Sequence, residues 1–196
     1  MSKDIDDDLV NRLRARISNP AARIDMDTIP QPAFYAPASL TDVEHAEAAL
    51  AMKLPPFLRR LYLEVGNGGY GPGAGLIGIA GGYPDFDGQT LVTTYQRFRT
   101  GAWPSQLLPL WDWGDTMWSC VDVTEGFAVV THDGTEGATK TTFTLQSLLR
   151  SWLDEEDLFA ALYEIEDAVM LNPFTGKPVP RKKIGRAIGT PVYRRR

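Results

Sequence analysis

The sequence holds little that reacts. One cysteine, Cys120, stands in 196 residues, and a lone thiol makes no intramolecular disulfide and no cysteine-based zinc cluster. Two histidines, His45 and His132, are the whole imidazole inventory. No serine sits in the G-x-S-x-G elbow of the α/β hydrolases. The opening "MSKDIDDDLV" lacks an apolar core, so no secretory signal is expected. No apolar run reaches the ~18 residues that a membrane-crossing helix needs. Acidic residues are missing after Asp167. These gaps argue against a disulfide-stapled secreted scaffold and a membrane span, and make the cytoplasm the expected setting.

What is present is the composition of an ordinary globular chain, 43% hydrophobic and 23% charged, long enough for one domain with short extensions. Charge is segregated. Residues 1–176 carry 12 of the 20 basic and all 25 acidic residues, a formal −13, while the last twenty carry +8. An acidic body repels nucleic acid and draws basic partners.

"DIDDDLVNRLRARI" predicts a helix, with Leu9, Leu13 and Ile17 as its buried stripe. Residues 19–40 are broken by Pro20, Pro30, Pro32 and Pro37 and read as a surface loop. A second helix is expected to begin at Thr41, capped by Thr41 and Glu44 of "TDVE". "LPPFLRRLYLEV" predicts a third, its prolines in the first turn and Gly66 as a left-handed stop. "GLIGIAGG" (75–82) reads as a short strand and "TLVTTYQRF" (90–98) as a helix. Strands are expected over 107–114, 117–123 and 127–133, with another at 139–143. Thr144 caps a helix that turns Leu145, Leu148, Leu149 and Trp152 inward, and "DEEDLFAALYEIEDA" continues as an acidic helix. From Asn172 a basic tail or arm follows, mobile unless it docks. The expected division is an N-terminal helix and approach (1–40), a main domain (41–171) and a tail (172–196). Helices, then strands, then helices predict an α+β fold with a mostly antiparallel central sheet.

"GNGGYGPGAG" raises a separate question, because Gly66, Gly68 and Gly71 spell G-x-G-x-x-G. A dinucleotide site needs a strand before that turn and a helix after it, so that free amides meet the phosphates. Here a helix ends where the glycines begin, and a helix C-terminus repels anions. The glycines read as a helix stop and a turn; a nucleotide binder or enzyme built on them is the weaker alternative.

The same residues carry a resemblance. "LPPFLRRLYLEVGNGGYGPGAGLIGI", then "LLPLWDWGDTMWSCVDV", then "TFTLQSLLRSWL" are similar, in that order, to the SMI1/KNR4 (SUKH) superfamily over roughly residues 41–155. The resemblance implies a compact α+β domain. In bacteria such domains commonly serve as immunity proteins that neutralise a cognate toxin, often a nuclease or deaminase. In fungi relatives are cell-wall signalling scaffolds. Neither role requires catalysis. The expected function is therefore a toxin-occluding binding protein, with a regulatory scaffold as the alternative, and no cofactor, metal or catalytic residue is expected.

The residue inventory agrees. His45 and His132 lack triad or metal spacing, and Cys120 reads as a buried apolar residue. An acidic face could fill a cationic nuclease groove as a phosphate mimic, and Asp85, Asp87, Asp112 and Asp115 are its candidates. Trp111 and Trp113 share one side of a strand and are candidate interface anchors, core packing being the alternative. The basic tail has Tyr193 as its one aromatic, so nucleic acid is not an expected partner. Oligomeric state is left open.

Overall fold

The computed structural model describes residues 2–19, 35–101, 103–114, 116–125, 127–134, 137–171 and 173–193. Asp115 and most of the proline-rich approach lie outside the described residues. Helix α1 (Ser2–Ile17) buries Leu9, Leu13 and Ile17 as its spacing predicts, with Val10 beside them. Helix α2 (Leu40–Leu50) starts slightly earlier than "TDVE" suggests. Its cap is Ser39, whose Oγ accepts from the Asp42 amide at 3.1 Å while the Asp42 carboxylate accepts from the Ser39 amide at 3.1 Å. Ser39 and Thr41 each have an acid three residues on, Asp42 and Glu44, and the structure forms the Ser39–Asp42 box.

Helix α3 (Pro56–Arg60) runs into a π-helical turn over Leu61–Val65, closed by the Gly66 amide donating to the Leu61 carbonyl at 3.1 Å. Gly66 has φ 172, an extended backbone, so the left-handed stop expected there is not formed. A side chain is excluded for a different reason: a Cβ would stand 2.9 Å from the Tyr35 carbonyl oxygen. The widened turn positions Tyr62, whose hydroxyl donates to the Ile77 carbonyl at 2.6 Å.

Residues 75–82 do not form the expected strand. Of these residues Leu76 makes a bridge, to Trp111, and the Ile77 amide donates to the Leu110 carbonyl at 2.9 Å. The pairing goes no further because the amides of Gly78 and Gly82 go to nearby carbonyls and that of Ile79 to the Asn67 side chain. Helix α4 (Leu91–Arg99) follows, capped by Thr90. Strands β1 (Leu107–Gly114), β2 (Met117–Asp122), β3 (Ala128–Asp133) and β4 (Gly137–Thr144) form an antiparallel meander. Thr144 then caps α5 (Leu145–Leu153) with the four predicted inward residues buried.

The acidic segment departs from expectation. Helix α6 is confined to Leu158–Leu162, and Tyr163–Leu171 is strand β5. The tail docks: β6 (Pro178–Ala187) pairs antiparallel with β5, and β7 (Thr190–Tyr193) pairs with β4. The 171/172 division therefore falls in the turn of the β5–β6 hairpin. The central sheet has the order β1-β2-β3-β4-β7, with β5-β6 as a separate two-stranded ribbon. The architecture is α+β with an antiparallel sheet. Helices α1, α3 and α5 meet one core with the sheet, where Trp111, Trp152, Tyr62 and Tyr70 are fully buried.

Candidate partner-binding cleft

The glycine segment is a folding device. Asn67, 4% exposed, is its centre: its Nδ2 donates to the Ala80 carbonyl at 3.0 Å, and its Oδ1 accepts from the Ile79 amide at 2.9 Å. Its own carbonyl accepts from the Tyr83 amide at 2.9 Å. The backbone passes so close that a Cβ on Gly78 would lie 2.4 Å from the Asn67 carbonyl oxygen and one on Gly68 2.5 Å from that of Leu76. The amides of Gly69, Gly75 and Gly78 donate to the carbonyls of Leu76, Pro72 and Tyr83. A phosphate cradle needs amides facing outward from a helix N-terminus; these face other carbonyls and follow a helix C-terminus.

This knot holds the 83–90 loop against α4. Asp85 is the pin. Its carboxylate, 1% exposed, accepts from the amides of Asp87 (2.9 Å) and Gln89 (2.7 Å) and from the Thr94 hydroxyl (2.6 Å). Its oxygens are thus occupied by its own loop and by α4. Pinning Asp85 pushes Phe86, 52% exposed, and Asp87 outward. The Asp87 carboxylate accepts from Arg97 Nη1 at 2.5 Å.

Opposite this loop, β1 places alternate residues on its two faces. Trp111 and Trp113 point toward the glycine segment, as expected of one side. Trp111 has no exposed surface, and a Cβ on Gly71 would come within 2.9 Å of its Nε1. Trp113 donates from Nε1 to the Ser119 hydroxyl at 2.8 Å and meets the edge of Phe159 at 5.5 Å between ring centres. Both are packing residues here; Trp111 has nothing to offer a partner. Asp112 lies on the other face, in the wall of a cleft.

That cleft has a volume of about 710 Å³. Phe86 and Asp87 form one edge, and an aromatic run forms the floor. Phe98 lies 4.4 Å from Trp103 and 5.0 Å from Trp118, and Trp103 lies 4.2 Å from His132. Among the described residues Asp87, Asp112 and Asp133 line it, with the guanidinium of Arg97. Burial pushes the Asp112 carboxyl up to about 6; the Gly114 and Phe86 amides oppose the shift, and the charges of Asp85 and Asp87 add to it. An apolar, electronegative recess of this kind suits a positively charged group that can also stack on aromatic rings.

The structure thus brings Asp87 and Asp112 together and gives Asp85 a structural task. The aromatic floor was not legible as a site. Trp103, Trp118, Phe98 and His132 come from α4, its following loop and two strands, and no short motif links them. Cys120 has no exposed surface, and burial drives its thiol well above its ordinary range, which removes it as a nucleophile.

An antiparallel α+β domain knotted at Asn-Gly-Gly, with its recess between β1 and the loop that follows the knot, is the class that these features define. The model of the SMI1 / KNR4 family (SUKH-1) matches residues 37–155, and the chain belongs to this family. The match takes in the knot, α4, the meander and α5, hence the cleft; it excludes α1 and the β5–β6–β7 segment. No curated protein matches the chain. Among the described residues no helix is long and apolar enough to cross a membrane.

Proposed function

We propose that this chain is a non-catalytic binding protein, an immunity protein that neutralises a cognate toxin in the cytoplasm by covering its active site. Family membership supports the class of function. The observation that carries the reading is the cleft: an exposed Phe86, an aromatic floor and, among the described residues, three carboxylates against one guanidinium. A nuclease holds nucleic acid in a cationic groove, and basic side chains of such a groove fit this recess by charge and by stacking. Asp87 and Asp112 are the proposed contacts with Phe86; Asp115, outside the described residues, stays a candidate from the sequence alone. Occlusion is then steric, with electrostatic steering that speeds encounter and weakens as salt rises.

The test pairs the protein with a toxin encoded beside its gene and measures affinity by calorimetry across a salt series. Affinity should fall with salt. Phe86→Ala combined with Asp87→Lys should weaken binding by at least about tenfold, the scale of an interface hot spot. Neither residue is needed for the core, so an unchanged affinity would remove the cleft from the interface. A toxin that stays active beside the wild-type protein would remove the function.

A further inference from the structure

The β5–β6 hairpin is built unlike the rest of the molecule. Its base is rooted: Tyr163 is buried, and Ile184 and Ala187 pack against the core. Beyond the base, apolar side chains face solvent. Val169 is 69% exposed, Leu171 67% and Phe174 95%, with Met170 and Val179 also exposed. Of the eleven large hydrophobic residues exposed among the described residues, six lie in this hairpin and two more, Ile188 and Val192, just after it. Such concentration on one short ribbon, with Val169 and Leu171 on one face and the Met170–Val179 pair on the other, is unlike the scattered exposed apolar residues that are normal on a surface and marks an interaction element. Two-stranded ribbons are also marginal by themselves, and β5 offers an open edge without proline or glycine.

The charge pattern says what covers it. Strand β5 carries Glu164, Glu166 and Asp167, the last acids of the chain, and β6 carries Arg181, Lys182, Lys183 and Arg186. The register sets Glu166 opposite Lys183 and Asp167 opposite Lys182. A ribbon with one acidic and one basic strand is a poor grip for nucleic acid, whose phosphates would meet both signs. It is self-complementary toward a second copy. The body of that copy is acidic, a formal −13 over residues 1–176, and β6 brings four cations to it.

We propose that the β5–β6 hairpin is a dimerisation arm. Two chains cross their arms about a two-fold axis, bury Val169, Leu171 and Phe174 between them, and lay each basic β6 against the acidic surface of the other chain. A two-fold contact uses the same patch on both chains, which a ribbon of mixed sign satisfies. The arm lies outside the span shared with the family, so the dimer is a property of this chain and does not rest on the toxin-binding reading.

Sedimentation velocity of the full chain, from low to high micromolar, tests it. A reversible shift from the mass of one chain toward two is expected. Val169→Glu with Leu171→Glu should weaken the dimer by at least about tenfold, equivalent to ~1.4 kcal/mol. Both side chains are solvent-exposed in the single chain, so its melting temperature should hold. Hydrogen exchange on the unmodified protein gives a readout independent of any substitution: β5 and β6 amides should gain protection as concentration rises. A wild-type chain that remains one chain throughout, a dimer indifferent to both substitutions, or flat protection in the hairpin would overturn the proposal. A dimer-defective variant that still neutralises toxin keeps the two readings apart.

Discussion

Asp112 shows how one side chain couples stability to a site. Burial lifts its carboxyl from 3.8 to about 6. Between those values the folded protein keeps a proton that the unfolded chain has released, so stability falls as pH rises through the window. Asp112→Asn keeps an oxygen for the Gly114 amide, which donates to Asp112 at 2.9 Å, and removes the desolvated charge. At pH 7 the variant should be more stable by about 1–3 kcal/mol, and the difference should close near pH 4; paired thermal melts at the two values check this. Equal melting temperatures at pH 7 would show that the carboxylate is solvated. Asn67 is the opposite case, a residue whose polar atoms are all used by the fold. Asn67→Asp retains the acceptor for Ile79 but loses the donor to Ala80 and buries a charge, and should cost about 3 kcal/mol in urea unfolding.

At the scale of elements, the turn from the π-helical Leu61–Val65 through Gly82 matters most. It contains little regular structure, yet it fixes the loop that carries Phe86 and Asp87. Gly78 illustrates the constraint: a methyl group there would meet the Asn67 carbonyl at 2.4 Å and the Tyr83 amide at 2.5 Å. Both contacts are backbone, so they cannot rotate away. Gly78→Ala should destabilise by about 2–4 kcal/mol, in the range of severe local disruption, and should lower partner affinity because the cleft edge moves with the knot. Gly81→Ala is the control, since nothing lies within 4 Å of a Cβ there; its left-handed φ of 73 leaves a backbone cost of about 1 kcal/mol. If the two variants unfold alike, close packing is not what Gly78 serves.

At the scale of the whole molecule, the C-terminal segment is part of the sheet. Strand β7 covers the β4 edge through Thr190, Pro191 and Tyr193. Ending the chain after Gly189 should expose that edge and lower stability by about 1–3 kcal/mol, the net worth of a few backbone hydrogen bonds, with more aggregation on heating. A truncated chain with an unchanged melting profile would make β7 an ornament. The acidic body acts at this scale too, since it sets the salt dependence expected of any basic partner.

Sequence alone determined what is local. Helices α1 and α5 and strands β1 to β4 follow from apolar period and from the Thr144 cap, because those signals lie within a few residues of the element they specify. For α4 the sequence leans toward a helix, and its Thr90 cap became visible in the structure. Chain direction at Gly66, helix first and glycines after, was legible for the same reason, and so was the alternation that puts Trp111 and Asp112 on opposite faces of β1. Tertiary structure decided the rest. Tyr163–Leu171 continues the acidic run that the sequence reads as a helix and becomes a strand because β6 pairs with it from seven or more residues away. Residues 75–82 look like a strand, but their polar groups are divided among Gly69, Tyr70, Asn67, Tyr62, Tyr83, Leu91 and Leu110, with one bridge to β1. The cleft exists only once α4, the 83–90 loop and three strands converge, and convergence of segments distant in the chain leaves no mark in any one of them.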